Sequence, residues 1–283
     1  MKFELIAGAL NPIAFHWGPL NVHWYGIIIA SAVILALWLS IREGRRIGIP
    51  EDDFYDVLLW SLPIAVICAR TYYVVFQWAY YSQHPSEIIA IWDGGIAIYG
   101  ALIGGLITIL WFYHVRHLNP WQFLDVLAPS VILAQAIGRW GNFMNQEAYG
   151  VITTKAYLMA LHLPTWIVNQ MYIGGAYRVP TYLYESVGDL LGFIILISLR
   201  HRHHCLKQGE VLCGYLGWYA VVRMIVEGMR TDSLMLGQLR VSQWLSVIIL
   251  VAVVIIVIYR RRQTTIPWYS DLLIKEKKSW QKK

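Results

Sequence analysis

Charged residues are scarce in this sequence. Only 14% of its 283 residues are charged and 58% are hydrophobic, whereas an ordinary soluble domain has about 25% charged and 45–50% apolar residues. That scarcity excludes a disordered chain and a nucleic-acid module, and nucleic acid is not an expected partner. Cysteine is scarce too. Cys68, Cys205 and Cys213 form no CxxC pair, and an odd count argues against a disulfide framework. The nine histidines fall in loops or at the edges of apolar runs. No His/Cys cluster with ligand spacing lies within those runs, so no metal and no cofactor is expected. Internal repeats of the inverted-transporter kind are lacking. The N-terminus, MKFELIAGALNPIAFHWGPL, has one Lys, no long apolar core and an early Asn-Pro. It does not read as a cleavable signal peptide, and the first apolar run is expected to act as an uncleaved signal.

What is present is a series of long apolar runs. A bilayer core needs about 20 mostly apolar residues per helix. Seven candidates appear, at 22–41, 54–76, 96–113, 121–137, 182–199, 209–229 and 241–259. The expected fold is an all-α integral membrane protein, with residues 1–259 as one seven-span domain and 260–283 as a basic cytoplasmic tail. Fifteen of the 23 Lys and Arg lie in the tail and in the loops after spans one, three and five. Six lie in the N-terminus and the loops after spans two, four and six, and Arg70 and Arg223 lie inside spans. By the positive-inside rule the N-terminus is outside and the C-terminus cytoplasmic. The tail reads as a basic stop and surface anchor rather than a folded domain. The connection over 138–181 is long for a loop and predicts interfacial elements on the outer leaflet.

Ionisable residues inside a span are functional candidates by default. Arg223 and Glu227 are spaced i, i+4 and share a helix face, which Arg230 extends. They form either an internal ion pair or a cationic site for an anionic group. Arginine suits phosphate because its planar fork binds two oxygens and stays charged. Glu185 and Asp189 share a face one turn apart, and Arg70 is expected to pair with one of them. Asp125 reads as a structural polar anchor. The stretch GGIAIYGALIGG (94–105) permits close helix packing or backbone approach to a ligand, with the Tyr99 phenol among its glycines. The stretch GRWGNFMNQEAYG (138–150) is read as leaving span four for the outer loop. Its Arg139, Asn142, Asn145 and Glu147 are too many polar groups for a simple helix cap. At membrane depth such a turn has to line a cavity or be buried in protein.

Together HWYG (23–26), GIAIYGALIGG (95–105), GRWGNFMNQEAYG (138–150), PTYLYE (180–185) and RMIVEGMR (223–230) resemble, in order, the motifs of the bacterial phosphatidylglycerol–prolipoprotein diacylglyceryl transferases. The Gly-Arg-x-Gly-Asn-Phe-x-Asn core with a following Glu is the most specific of them. The resemblance implies seven helices around a central cavity open sideways to lipid, in the bacterial cell membrane, with the active site toward the outer leaflet. It implies that Tyr25, Arg139, Asn142, Glu147, Gly150, Arg223 and Glu227 serve activity, and Glu185 matches the acidic end of the family's Pro-Ser-Gln-Leu-Tyr-Glu-like element. Thr181-Tyr182 replaces that element's usual polar pair. Where many members have a His before the Gly-Ala-Leu-Ile-Gly run, this chain has Tyr99, and a phenol is a poor base at neutral pH. Either another group takes the proton or Tyr99 orients substrate.

The implied reaction moves the diacylglyceryl group of phosphatidylglycerol to a lipobox cysteine thiol in a prolipoprotein signal peptide, with glycerol phosphate leaving. Arg139 and Arg223 are then expected to hold the lipid phosphate and stabilise its growing charge. Glu227 orients Arg223, while Asn142 and Tyr25 hydrogen-bond the headgroup or the substrate backbone. The nucleophile belongs to the substrate, so the chain's own cysteines are expected to be dispensable. A transporter for an anionic solute is the competing reading, and a membrane scaffold a third.

Overall fold

The computed structural model describes residues 10–18, 20–231 and 235–273. An antiparallel hairpin of β1 (Ile13–Trp17) and β2 (Leu20–His23) leads into α1 (Trp24–Ile47). α2 (Glu51–Phe76) is followed by the single turn α3 (Trp78–Tyr81), then by α4 (Ile98–Arg116) and α5 (Pro120–Asn145). The next connection holds β3 (Ile152–Thr153), α6 (Lys155–Ala160), α7 (Thr165–Gln170), β4 (Tyr172–Ile173) and β5 (Ala176–Arg178). Its strands form a small sheet in the order β3-β5-β4. α8 (Thr181–Arg200) and α9 (Glu210–Glu227) come next. The hairpin β6 (Met235–Leu236) and β7 (Leu239–Arg240) then precedes α10 (Val241–Arg262) and the short α11 (Tyr269–Leu272).

Among the described residues, seven long helices fall on the seven apolar runs. Six of them are long and apolar enough to cross a membrane, so the chain is a largely helical, multi-pass membrane protein. α9 is not among the six: it carries Glu210, Arg223 and Glu227 within 18 residues. Among the described residues, three small antiparallel sheets add to the expected all-helical pattern. It also moves one boundary. Residues 138–145 continue α5 rather than opening a loop, because the buried Gln170 amide takes over the end of the helix. Gln170 Nε2 donates to the carbonyls of Phe143 at 3.1 Å and Met144 at 3.4 Å.

The chain divides into two compact units, residues 41–123 and residues 1–40 with 124–283. In the first unit α4 lies against α2 through glycines. A Cβ at Gly100 would meet the Ala69 Cα at 2.6 Å, and one at Gly104 the Ala65 Cα at 2.7 Å. Small residues spaced i, i+4 let two backbones approach closely where lipid offers no hydrophobic driving force. The glycine-rich stretch is therefore a packing seam. Arg70 does not pair with Glu185 or Asp189, as the sequence suggested. Its guanidinium donates to the carbonyls of Glu87 (2.6 Å), Ile88 (2.8 Å), Gly94 (2.7 Å) and Gly95 (2.8 Å). It also lies over the Tyr81 ring. Gly95 has φ +72°, and a side chain there would strike the Arg70 fork. Nearby, the Tyr80 hydroxyl donates to Glu87 at 2.8 Å, a bond that pushes the phenol's pKa up.

In the second unit α9 starts on a borrowed cap. Asp125 of α5, fully buried, accepts from the backbone N–H of Gly209 and of Leu212, the latter at 2.8 Å. This satisfies donors that a helix start leaves open, and fits the anchoring role expected for Asp125. The first part of the tail is docked rather than free at a surface. Tyr269 is fully buried in a cluster with Ala128, Ile132, Leu196 and Val211. Lys207 Nζ donates to the Gln263 carbonyl at 2.6 Å, and Arg261 holds Glu210 through two bonds of 2.8 Å. The remainder of the expected surface anchor, from residue 274 on, lies outside the described residues, as do residues 1–9 ahead of the first apolar run.

Candidate active site

The polar cluster of the second unit is built on α5, α8 and α9. α8 and α9 approach closely at glycines: a Cβ at Gly188 would meet Val222 Cγ1 at 2.9 Å. The Trp218 indole donates to the Gly188 carbonyl at 2.7 Å. α5 is tied to α8 where Trp140 Nε1 donates to Ser186 Oγ (3.2 Å), which in turn donates to the Ala136 carbonyl (2.8 Å). Trp140 and Phe143 pack edge-on or tilted against Tyr182. These contacts fix the axial register of three helices, and so the heights of their charged residues.

At that level four of the sequence candidates meet. Glu185 Oε1 accepts from Arg139 Nη2 at 2.7 Å and from Arg223 Nη1 at 3.3 Å. Arg223 Nη2 reaches Glu227 Oε2 at 2.6 Å. One carboxylate thus bridges two guanidiniums, and a second holds the far side of Arg223. Glu185 and Glu227 are buried, while the arginine side chains keep about a fifth of their surface open, 20% and 18%. Breaking such a buried pair by removing one partner costs about 3–5 kcal/mol, mostly for the charge left behind. Each guanidinium carries five donors, so these contacts leave further N–H groups for a ligand. Asp189 is fully buried one turn below Glu185. Both its oxygens lack a hydrogen-bond partner among the described residues.

Beyond the cluster, the turn after α5 borders a cavity of about 500 Å³ lined by Asn142, Gln146, Glu147, Tyr149, Arg230 and Thr231. Gln146 and Ala148 have φ +53° and +54°, a region that side chains other than glycine seldom enter. The strain persists because the turn is held on every side. Gln146 Nε2 donates to the Gln170 carbonyl at 2.7 Å, and Thr181 Oγ1 to the Ala148 carbonyl at 2.6 Å. Gly150 N–H donates to the Val179 carbonyl and Val151 N–H to that of Met229. Glu147, between the two strained residues, is thereby presented to the cavity. Gly150 is required sterically, since a Cβ there would meet Val179 Cβ at 2.9 Å and the Met229 carbonyl at 3.0 Å. Tyr25 of α1 lies against α5 at Gly141, where a Cβ would meet the ring at 2.8 Å. Tyr99 belongs to α4 in the other unit, where its ring lies 6.3 Å from that of Tyr72 and stays 39% exposed.

Three site features escaped the sequence reading. Gln146 lies in the polar 138–150 turn that the sequence places at a cavity or in buried protein, but it is not singled out there, and nothing local marks Thr231 as a cavity wall. Tyr219, one turn before Arg223 and within its electrostatic reach, was recoverable from its i, i+4 spacing to Arg223.

Residues 12–259 match the family model described as prolipoprotein diacylglyceryl transferase. A phosphatidylglycerol–prolipoprotein diacylglyceryl transferase of Limosilactobacillus reuteri is 66% identical over 264 residues, covering 93% of this chain and 96% of the relative. Relatives of the same description from Ligilactobacillus salivarius (63% identical, 86% and 90% covered) and Lactiplantibacillus plantarum (60%, 86% and 87%) also match. The motifs, the helix pattern and these matches agree: this chain is a membrane-embedded enzyme that belongs to the prolipoprotein diacylglyceryl transferase family.

Proposed function

We propose that this enzyme moves the diacylglyceryl group of phosphatidylglycerol to the lipobox cysteine of a prolipoprotein signal peptide, the first step of lipoprotein maturation. The carbon–oxygen bond between the diacylglycerol carbon and the phosphate breaks, and a thioether forms at the same carbon. The thiol gives up its proton, and glycerol phosphate departs with the electron pair on its phosphate oxygen. The single observation that carries this reading is the ladder Arg139–Glu185–Arg223–Glu227. Two arginines held on a shared carboxylate are already oriented and keep donors in reserve. That is the preorganised electrostatic arrangement that stabilises charge growing on a leaving phosphate.

In this reading the remaining donors of Arg139 and Arg223 take the phosphate oxygens, and Glu185 and Glu227 hold the two forks at fixed spacing. Asn142 and Glu147, at the adjoining cavity, hydrogen-bond the glycerol headgroup or the peptide backbone, and Tyr25 closes the α1 side. Gly150 shapes the turn that presents Glu147. Tyr99 orients substrate through its hydroxyl. A thiol close to cationic groups ionises more readily, which lowers the demand for a strong base. The seven long helices are proposed to be seven spans, N-terminus outside and C-terminus cytoplasmic, from the Lys/Arg asymmetry. The site then faces the outer leaflet. Family membership favours this reading over the anionic-solute transporter.

The test is purified protein in phosphatidylglycerol vesicles with a peptide carrying a lipobox cysteine. The expected result is a diacylglyceryl mass increment on the cysteine peptide, none on its serine analogue, and stoichiometric glycerol phosphate. No increment with folded protein would contradict the proposal.

A further inference from the structure

At the junction of α8 and α9, the turn after Arg200 carries His203 and His204, and α11 of the docked tail carries Asp271. One ligand atom from each of the three lies within 4.8 Å of the others. His204 Nε2 is 3.4 Å from Asp271 Oδ1, and the two imidazole rings stack with centroids 3.8 Å apart. Two imidazoles with a carboxylate form a donor set for a borderline divalent ion such as zinc, cobalt or nickel, and a poor one for magnesium or calcium. We propose that His203, His204 and Asp271 form a zinc-type cation site that fastens the tail segment to the α8–α9 turn. The transferase reaction does not depend on it, and no such site was expected from the sequence. His203 and His204 are adjacent there, but their third partner lies far along the chain.

The backbone around the site is fixed before any ion arrives. His204 sits at φ +50°, a left-handed conformation uncommon outside glycine, and its N–H donates to Ser270 Oγ at 3.3 Å. Tyr269 N–H donates to the Leu206 carbonyl at 2.8 Å, and Gln208 N–H to that of Pro267 at 3.0 Å. Trp268 stacks on His204 with centroids 5.3 Å apart. The two segments are thus held face to face by the backbone, and only exposed side chains need to turn. Ligand atoms around tetrahedral zinc are separated by roughly 3.3 Å, so rotation about the side-chain torsions closes the remaining gap. All three side chains are exposed, leaving an open route for the ion and a fourth position for water. Ser270 Oγ donates to Asp271 Oδ1 at 3.3 Å and helps to orient the carboxylate.

The experiment uses full-length protein without a polyhistidine tag, in detergent micelles, titrated calorimetrically with zinc chloride. One zinc per chain is expected, with affinity falling by about tenfold or more in each of His203→Ala and Asp271→Asn. His16→Ala, at an unrelated exposed histidine, keeps the wild-type affinity. Zinc is also expected to slow chymotryptic cutting at Trp268 and Tyr269 several-fold in the wild type and not in Asp271→Asn, because an ion that binds only the docked state stabilises it. Absence of zinc uptake, or uptake unchanged in both variants, would overturn the site. Uptake without protection of Trp268 would overturn the fastening role.

Discussion

Arg70 and the pair Arg139/Arg223 look alike in the sequence, as arginines in or beside apolar runs, yet the structure gives them opposite surroundings. Arg70 spends its fork on four backbone carbonyls of the segment between α2 and α4. Arg139 and Arg223 are held by carboxylates, Glu185 and Glu227. A guanidinium with four of its five donors on fixed carbonyls has little left to give a ligand, and its charge serves to pin a loop. One held from the side by a carboxylate is aimed and still has donors to give. What an arginine does is therefore set by the acceptors around it rather than by its depth in the chain.

The sharpest way to break this comparison is to remove the site arginines. Arg139→Ala and Arg223→Ala are each expected to cut transfer by about 100- to 1000-fold or more, the scale of losing a preorganised electrostatic donor. Initial rates with a lipobox peptide, at matched folded protein, measure it. Arg70→Ala tests the other half. It leaves up to four carbonyls without their donor, so it is expected to destabilise the first unit by roughly 3 kcal/mol or more. A lower thermal midpoint and faster proteolysis within 83–97 would record this, with transfer per folded molecule reduced far less than in the site variants. Gly104→Val overfills the α2–α4 seam and is expected to cost about 1–3 kcal/mol, again read as a thermal midpoint with little change in rate per folded molecule. Tyr99→Phe removes one hydroxyl and is expected to slow transfer by no more than about tenfold, the worth of a single hydrogen bond, in the same rate assay.

Much of this was legible in the sequence because lipid imposes simple demands. Seven apolar runs became seven long helices, and the i, i+4 pair Arg223/Glu227 became a contact of 2.6 Å. What could not be read were the acceptors supplied by backbone. The carbonyls that bind Arg70 carry no side-chain signature, so a carboxylate partner looked necessary. The continuation of α5 through Asn145 depends on Gln170, far along the chain in α7, so its polar end resembled a loop. Strands of two or three residues, such as β3 and β4, are too short for a period-2 pattern. The burial of Tyr269 is likewise tertiary, set by its packing against Ala128, Ile132, Leu196 and Val211. Among the candidate site residues, residue types revealed the arginines and glutamates, whereas the steric crowding around Gly150 is visible only in the folded geometry.

The central claim is that Arg139 and Arg223 act through their bidentate forks on a phosphate, whereas Arg70 acts on the fold. The most direct measurement is the initial transfer rate of Arg139→Lys, Arg223→Lys and Arg70→Lys side by side, each normalised to folded protein. Lysine keeps the charge and loses the planar fork. A rate lowered by about tenfold or more in the two site variants, with Arg70→Lys near wild type per folded molecule, is the predicted result. Equal rates in all three, or a larger loss in Arg70→Lys, would contradict it.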